Sequence, residues 1–267
     1  KNIISQTNSL TLEKTRNETF ISDLVRKIGL VRDFRPLYGF GNKPGSEETF
    51  MHKRRNYGMF QLPKQVGCML QEISQSSTSV SSFIEIGSFY GWTGLFFSVF
   101  LRRIHTLMYP SNFYSSASFD ILDMRTPCIK FLMNKYKHDF HVNEFSRHIK
   151  KQKNRPILSE DYSSASKWYY THLNKTFGKN VKKIDLCFID GEHGYKHVRA
   201  DVKFFSQICN FLLFHDIVDT DSYGVRYTWN QLKSQKPSYF KECTQQAGTN
   251  RKNFGLGIIS ANDINAF

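Results

Sequence analysis

Acidic residues and histidines follow two apolar runs that are typical of buried strands. Asp190 comes directly after the run IDLCFI and His193 comes three residues later, whereas His215 and Asp216 follow the run FLLF. Because the carboxyl ends of neighbouring parallel strands meet at one edge of a sheet, we expect these side chains to lie together. Carboxylate oxygens are hard ligands that suit a divalent cation such as Mg²⁺. The pattern therefore predicts a cation site formed by Asp190, His215 and Asp216, although each residue taken singly is more typical of a helix-capping acid or a core histidine.

A second pattern, EIGSFYGWTG over residues 85–94, opens directly into an apolar stretch of helical character. Gly87 and Gly91 let the backbone turn tightly and approach a ligand, and the first turn of the helix offers unpaired N–H groups. The spacing lacks the G-x-G-x-x-G phosphate cradle, which disfavours a dinucleotide. Glu85 at the strand end suits a ligand with an amino group or ribose hydroxyls. The alternative is an ordinary strand-to-helix turn.

Two further acids, Asp120 and Asp123, lie at the end of the next apolar run. A carboxylate at this place can accept hydrogen bonds from both hydroxyls of a ribose. We favour Asp120 for that role and keep Asp123 as the alternative. Either residue could instead cap the helix that follows.

Strand-like and helix-like segments alternate from residue 62 onward. The predicted strands lie at 83–86, 117–122, 156–158, 184–189, 211–214 and 254–260, and the predicted helices begin at Leu62 and cover 92–103, 128–136, 166–173, 195–206 and 227–232. This alternation indicates an α/β fold with a mostly parallel sheet covered by helices on both faces. Residues 1–60 are predicted to form an N-terminal cap or lid, with one amphipathic stretch near 20–30, and residues 61–267 to form the main domain.

The charge balance favours an anionic partner. The net charge is +14, with cations concentrated at 52–55 and 135–155. Such a surface suits an acidic small molecule, a glycan with acid groups or a nucleic acid, and a role in solubility alone is the alternative. No apolar run approaches the roughly 20 residues of a membrane span, so no membrane partner is expected.

The cysteines favour a reducing, cytoplasmic compartment. They are odd in number and contain no C-x-x-C pair, which argues against both a disulfide framework and a zinc site, and they lie at Cys68, Cys128, Cys187, Cys209 and Cys243. Two glycosylation sequons occur, at residues 17–19 and 174–176. A chain of this length yields that number by chance, so they carry little weight in this interpretation.

Taken in order, the segments EIGSFYGWTG, IDGEHGYKHVRAD, LLFHDI and FGLGI resemble the motifs of class I S-adenosylmethionine-dependent methyltransferases, over roughly residues 57–260. The resemblance is greatest to the metal-dependent O-methyltransferase branch, which includes the catechol, caffeoyl-CoA and antibiotic-sugar enzymes and the cephalosporin-hydroxylase-like proteins. It implies a Rossmann-like, seven-stranded sheet, S-adenosylmethionine as cofactor, and a divalent cation, Mg²⁺ being the first choice.

The resemblance also implies roles for individual residues. His193 falls where the catechol-type enzymes have a lysine base, so His193 or Asp190 is the expected general base. His215 stands where the family usually has a carboxylate, which is a departure from the pattern of cation ligands. Asp161 resembles the position that meets the adenine. The expected cofactor-binding residues are Glu85, Gly87, Ser88, Tyr90, Gly91, Trp92, Thr93, Asp120, Asp123, Asp161 and Asp190.

These expectations point to methylation of a hydroxyl on a small molecule, sugar or glycan, including anionic ones. Two alternatives stay open. The positive charge favours an RNA or cap-like 2′-O-methyltransferase, although the chain has no appended nucleic-acid module. A cofactor-binding protein without catalytic activity is the other alternative.

Overall fold

The computed structural model describes residues 2–27, 61–76, 80–88, 91–109, 114–120, 137–142, 170–179, 181–245 and 254–264. The strands of these residues are β1 Ser82–Ile86, β2 Ser115–Asp120, β3 His138–Val142, β4 Ile184–Ile189, β5 Cys209–His215, β6 Phe240–Cys243 and β7 Leu256–Ser260. They form one sheet in the order β3-β2-β1-β4-β5-β7-β6. Strands β1 to β5 pair in parallel, and β7 is antiparallel to both β5 and β6. The predicted Rossmann-like α/β fold is confirmed, and the strand order reverses between β1 and β4, where ligands bind in such sheets.

Helices precede the sheet and connect its strands. They are α1 Asn2–Asn8, α2 Leu12–Thr15, α3 Glu18–Lys27, α4 Pro63–Gln75, α5 Trp92–Met108, α6 170–177, α7 Tyr195–Ile208 and α8 Tyr223–Ser234, with a 3₁₀ turn at Ala261–Asp263. Helix α4 begins as expected, because proline in the first turn needs no hydrogen-bonded N–H there. None of the described helices is long and apolar enough to cross a membrane.

Both faces of the sheet are buried, which explains the continuous apolar runs of the central strands. Side chains alternate between the faces, so Phe83 packs with α3, α4 and α5, whereas the adjacent Ile84 packs with α7 and α8. On the first face the ring of Phe97 stacks on Phe83 and Phe188, with centroid distances of 6.1 and 5.5 Å. These two cores hold the carboxyl ends of β1, β4 and β5 in fixed positions.

The N-terminal helices pack on the same face as α4 and α5. Leu10 and Ile21 are buried in the core that contains Phe83. The Arg103 guanidinium donates to the Leu10 carbonyl at 2.9 and 2.7 Å, and the Ser74 hydroxyl donates to the Thr15 carbonyl at 2.7 Å. The part of the predicted lid at 28–60 lies outside the described residues, so the lid and the boundary at residue 60 stay predictions.

Most predicted elements match the observed ones, and two strands were missed. The predicted strand 184–189 coincides with β4, and α7, α8 and β5 each extend beyond their predicted ranges. The missed strands are β3, which has the polar sequence HDFHV, and β6, which lies at the edge of the sheet. The predicted helix 128–136 and strand 156–158 lie outside the described residues.

The prediction that the cysteines stay unpaired is wrong for four of the five. Cys68 of α4 is bonded to Cys243 at the end of β6, and Cys187 of β4 is bonded to Cys209 at the start of β5. The partners are 175 and 22 residues apart in sequence. Only the tertiary fold brings them together, so their spacing gave no signal. Cys128 lies outside the described residues.

Candidate active site

The carboxyl ends of β1, β4 and β5 meet at one edge of the sheet, and the predicted acids lie there. Asp190 follows β4, and its backbone N–H donates to the carbonyl of Ile86, the last residue of β1, at 2.9 Å. His215 ends β5, the strand beside β4. Asp216 has a φ of 64°, a left-handed conformation that Asp adopts more readily than most residues. The chain therefore turns sharply just after His215.

Four side chains form an acid–histidine cluster, which consists of Asp190, His193, His215 and Asp216. His215 Nδ1 lies 3.0 Å from Asp190 Oδ1 and 3.2 Å from Asp216 Oδ1. His193 Nε2 lies 3.3 Å from Asp216 Oδ2 and 3.9 Å from Asp190 Oδ1. The structure thus brings together all the residues that were predicted as cation ligands or as the base.

The two histidines take different places in the cluster. Ligand atoms of Asp190, His193 and Asp216 lie within 4.8 Å of one another, an arrangement that could hold a metal ion. His215 faces both carboxylates through Nδ1, whereas its Nε2 is buried and has no hydrogen-bond partner among the described residues. A histidine that contacts carboxylates in this way can orient them for a ligand. The geometry therefore favours His193 over His215 as the nitrogen ligand.

Burial and the facing charges shift the pKa values of the cluster. Burial opposes the charge of His215, but the Asp190 and Asp216 carboxylates outweigh it and raise the pKa of His215 to about 9. Burial also opposes ionisation of Asp190, yet His215 and His193 together lower its pKa. Burial raises the pKa of Asp216, and the neighbouring carboxylates of Asp190 and Asp216 raise that of His193. Asp190 and His215 therefore form a carboxylate–imidazolium pair near neutral pH.

Two polar residues that the sequence interpretation missed extend the cluster. The Ser222 hydroxyl lies 3.1 Å from Asp216 Oδ2, 3.0 Å from Asp219 Oδ2 and 3.3 Å from His193 Nδ1. Ser222 and Asp219 are both buried. They belong to the turn between β5 and α8, whose sequence DTDS is typical of a solvated loop, so composition alone gave no reason to select them.

Gln61 is a third residue that the sequence did not single out. Its side-chain amide donates to Asp190 Oδ2 at 2.8 Å and accepts from the Thr93 hydroxyl at 2.7 Å. Only 1% of Gln61 is exposed. It therefore links three parts of the chain: the residues just before α4, the first turn of α5 and the end of β4.

The glycine turn between β1 and α5 lies directly against the acid cluster. Gly87 has a φ of 89°, and a Cβ at this position would lie 2.0 Å from the carbonyl oxygen of Asp190. Gly91 has a φ of 78° and precedes α5 without a side-chain capping bond. Both positions therefore favour glycine, as the sequence predicted, and Gly91 is the residue at which the turn enters the helix.

Glu85 lies inside the protein, in a hydrogen-bonded network between β1, β2 and β3. The Ser118 hydroxyl donates to Glu85 Oε2 at 2.7 Å and lies 2.7 Å from His138 Nε2, while His138 Nδ1 lies 2.9 Å from the Ser116 hydroxyl. Burial lowers the pKa of His138 to about 3, so the ring is neutral and has one donor and one acceptor nitrogen. Glu85 therefore supports the sheet below the glycine turn, and its predicted contact with the ligand stays a prediction.

Four of the remaining predicted cofactor residues lie in the part of the chain that the structure describes: Ser88, Trp92, Thr93 and Asp120. The Ser88 hydroxyl is buried and donates to the Phe119 carbonyl at 3.4 Å, and Thr93 bonds to Gln61 as described. Trp92 begins α5 and Asp120 ends β2, and only their backbones are described. Tyr90, Asp123 and Asp161 lie outside the described residues.

Three tyrosines lie beside the cluster and are called the tyrosine rim: Tyr195, Tyr223 and Tyr227. Tyr223 stacks on Tyr227 with centroids 5.6 Å apart, and Tyr195 meets Tyr227 edge-on at 5.1 Å. Tyr223 is 57% and Tyr227 41% exposed. The rim adjoins the cluster because the start of α8 packs on the turn that follows His193: a Cβ at Gly224 would lie 2.3 Å from the His193 carbonyl.

Comparison with solved structures gives matches at low sequence identity, with TM-scores below 0.5. The chain is similar to the O-methyltransferase TomG from Streptomyces achromogenes, at 12% identity over 85% of this chain and 96% of that one, with a TM-score of 0.47. The TDP-rhamnose 3′-O-methyltransferase CalS11 of calicheamicin biosynthesis is 10% identical over 91% of this chain and 93% of that one, with a TM-score of 0.48. An O-methyltransferase from Bacillus cereus is 9% identical over 91% of this chain and 90% of that one, with a TM-score of 0.44. No curated protein matches the chain.

A protein-family model matches the part of the chain that contains the candidate active site. The model described as "Methyltransferase domain" matches residues 84–217, half of the chain. The match begins in β1, includes the glycine turn and ends just after Asp216, so it contains the whole acid–histidine cluster. Together with the order of the seven strands, it shows that this chain belongs to the methyltransferase domain family and has the class I fold that its motifs resemble.

Proposed function

We propose that the chain is an S-adenosylmethionine-dependent O-methyltransferase that acts on a hydroxyl of a small molecule, sugar or glycan with the help of a divalent cation. The observation that carries this proposal is the contact between the glycine turn and the acid–histidine cluster, through Gly87 and Asp190. Family membership supports methyl transfer. The cluster supports a hydroxyl acceptor, because it offers carboxylates and an imidazole that can accept or direct its proton.

Methyl transfer from a sulfonium is an in-line displacement. The acceptor oxygen forms a bond to the methyl carbon, the carbon–sulfur bond breaks, S-adenosylhomocysteine leaves and the hydroxyl proton passes to a base. The protein must therefore position the acceptor and favour its deprotonated form. Gly87 and Gly91 fit a turn that approaches the donor closely, since both have a positive φ that side chains disfavour, and hydrogen bonds of Ser88 and Thr93 hold the turn in place.

The donor set of the cluster, two carboxylates and one imidazole, fits a divalent cation: the carboxylates suit Mg²⁺ or Mn²⁺, and the imidazole suits a transition metal. A cation bound there would lower the pKa of an acceptor hydroxyl. Asp190, His193 and Asp216 would hold it, and His215 would keep Asp190 in place. The base is His193 or Asp190, and His193 takes that role if the cation binds without it.

A turnover assay with and without a chelator tests the proposal. We expect methyl transfer to one or more members of a panel of phenols, catechols and sugars to require added Mg²⁺ or Mn²⁺ and to be lost in Asp216→Asn. The surface variant Asp263→Asn, which removes an acid held by Ser238, should keep full activity. Unchanged turnover under chelation would refute the cation. Donor binding without any transfer would support the alternative of an inactive cofactor-binding protein.

Methylation of RNA is the second candidate, and two observations favour it. The chain has a net charge of +14, and the exposed rings of Tyr223 and Tyr227 offer a surface on which a base can stack. The same rings can equally contact a sugar. Binding to short RNA that weakens steeply with salt, together with methyl transfer to its 2′-hydroxyls, would favour RNA over the small acceptor.

A further inference from the structure

Two pairs of cysteines are joined in places where disulfides fit the fold. The Cα atoms are 5.9 Å apart for Cys68 and Cys243 and 6.2 Å apart for Cys187 and Cys209. Both values lie within the span of roughly 4.4 to 6.8 Å that disulfides occupy. All four residues are buried. The first pair ties α4 to the edge strand β6, and the second joins the neighbouring strands β4 and β5.

The two disulfides indicate the kind of compartment in which the chain folds. Disulfides persist in secreted proteins and in oxidising compartments, whereas reductants keep thiols apart in the cytosol. The expectation of a cytoplasmic protein rested on unpaired cysteines, so that argument no longer holds. A chain that forms two disulfides is expected to fold where the cell also attaches N-linked glycans, and the two sequons can then be judged by their positions in the structure.

Both sequon asparagines are exposed. Asn17 is the residue before α3, and its Oδ1 accepts from the Phe20 N–H at 2.8 Å. A glycan is attached to Nδ2, so this capping bond survives the modification. Asn174 is exposed on α6, whose buried side chains Leu173 and Phe177 face the second core. A glycan at either position can therefore extend into solvent without a change in the fold.

The glycan at Asn17 would also stand clear of the candidate active site. Arg16, the residue before it, donates to the Ser74 carbonyl at 3.3 Å and so lies beside the end of α4. Gln61, which contacts Asp190, lies just before the start of the same helix. At 1.5 Å per residue, the 13 residues of α4 separate the two ends by about 20 Å. A glycan there leaves access to the acid–histidine cluster open.

We propose that the chain matures in an oxidising secretory compartment, with disulfides Cys68–Cys243 and Cys187–Cys209 and with N-linked glycans on Asn17 and Asn174. Each disulfide forms as two thiols give up two protons and two electrons to a disulfide-carrying oxidoreductase, which is reduced to its dithiol. Each glycan is attached as the asparagine Nδ2 bonds to the anomeric carbon of a lipid-diphosphate-linked oligosaccharide, the lipid diphosphate leaves and the amide releases a proton. This inference does not depend on the proposed enzymatic activity.

The test is peptide mapping of the full chain secreted from cultured eukaryotic cells. Free thiols are alkylated under denaturing conditions without reductant, and an amidase that converts glycosylated Asn to Asp marks the glycan sites. We expect Cys128 alone to be alkylated, two disulfide-linked peptide pairs as assigned, and conversion at Asn17 and Asn174. Asn230, an exposed asparagine outside a sequon, is the internal control and should stay unconverted.

Variants separate each glycan from the fold. Thr19→Ala removes the first sequon and keeps the Asn17 cap, and Thr19→Ser restores the sequon. Asn174→Gln removes the second, because Thr176 itself bonds to His141 at 3.1 Å and is better kept. Thr19→Ala and Asn174→Gln should each abolish one glycan and leave the other, whereas Thr19→Ser should keep both. Secretion with both asparagines unmodified would overturn the glycan assignment, and alkylation of Cys68 or Cys187 when the secreted chain is denatured without reductant would overturn the disulfide assignment.

Discussion

Replacement of Gln61 by leucine tests whether this residue holds Asp190 in position for a cation. Leucine has a similar size and fits a buried position, but it removes both hydrogen bonds of the amide: the one donated to Asp190 Oδ2 and the one accepted from the Thr93 hydroxyl. Because Thr93 is also buried, its hydroxyl loses its partner without gaining contact with bulk water. The variant therefore changes polarity at one point and leaves the packing volume nearly constant.

The expected loss of stability follows from the two hydrogen bonds that Gln61→Leu removes. A hydrogen bond to a charged group contributes about 1.5 to 3 kcal/mol and one between neutral groups about 1 kcal/mol, so we expect the free energy of unfolding to fall by about 3 kcal/mol. Residues that orient a metal ligand typically change metal affinity by about 10- to 100-fold when they are replaced. Gln61→Leu should therefore weaken binding of Mg²⁺ or Mn²⁺ by about one to two orders of magnitude.

Gln65 provides the matched control. Gln65 lies in the first turn of α4 and is fully buried. Its side-chain amide donates to the Gln245 carbonyl at 3.3 Å and accepts from the Gly255 N–H at 3.2 Å. Gln65→Leu should lower stability in urea titrations but leave cation affinity, measured by calorimetry, as in the wild type. The reasoning is refuted if Gln61→Leu binds the cation as tightly as the wild type, or if both variants weaken binding equally.

Three further predictions follow from the geometry. Gly87→Ala should weaken S-adenosylmethionine binding by about tenfold or more in calorimetry, because a φ of 89° and a contact of 2.0 Å with the Asp190 carbonyl are incompatible with a Cβ. Cys68→Ser should lower the free energy of unfolding by roughly 5 kcal/mol, from the 175-residue separation that the Cys243 bond spans; equal urea midpoints for variant and wild type would contradict it. His215 has a pKa of about 9 in the fold and an ordinary value of 6.5, so its stabilisation is complete below pH 6.5 and is lost as the pH rises through 9. The metal-free protein should lose up to about 3 kcal/mol over that range, and His215→Gln should flatten this slope in pH-dependent denaturation.

The sequence predicted the elements whose apolar pattern is unambiguous. Strand β4 is a continuous apolar run that ends at an acid and a glycine, and its predicted and observed bounds agree. Strand β3 was missed because its sequence HDFHV has no such pattern. Its His138 is buried only because hydroxyls of Ser116 and Ser118 on the neighbouring strand satisfy both ring nitrogens. That partnership depends on which strands pair, and no local pattern contains it.

The candidate site also has features that the sequence could predict and features that only the tertiary fold determines. The acids at the ends of β4 and β5 could be predicted, since parallel strands bring their carboxyl ends together. The orientation of each side chain could not. His193 and His215 have the same chemistry in sequence, and only the packing of α8 and Phe254 around them decides which ring faces outward: His193 is exposed, whereas His215 is buried with its ring 5.3 Å from that of Phe254.

The position of His215 gives a physical reason for the missing carboxylate. Asp190 and Asp216 each lie near both histidines, and Asp216 and Asp219 both accept from the Ser222 hydroxyl. A fourth acid at 215 would add a like charge in a buried site, where no solvent screens it. An imidazolium at 215 instead offsets part of the negative charge that Asp190 and Asp216 place beside it. His215 therefore lets these buried carboxylates stay close together, which a carboxylate at 215 would oppose.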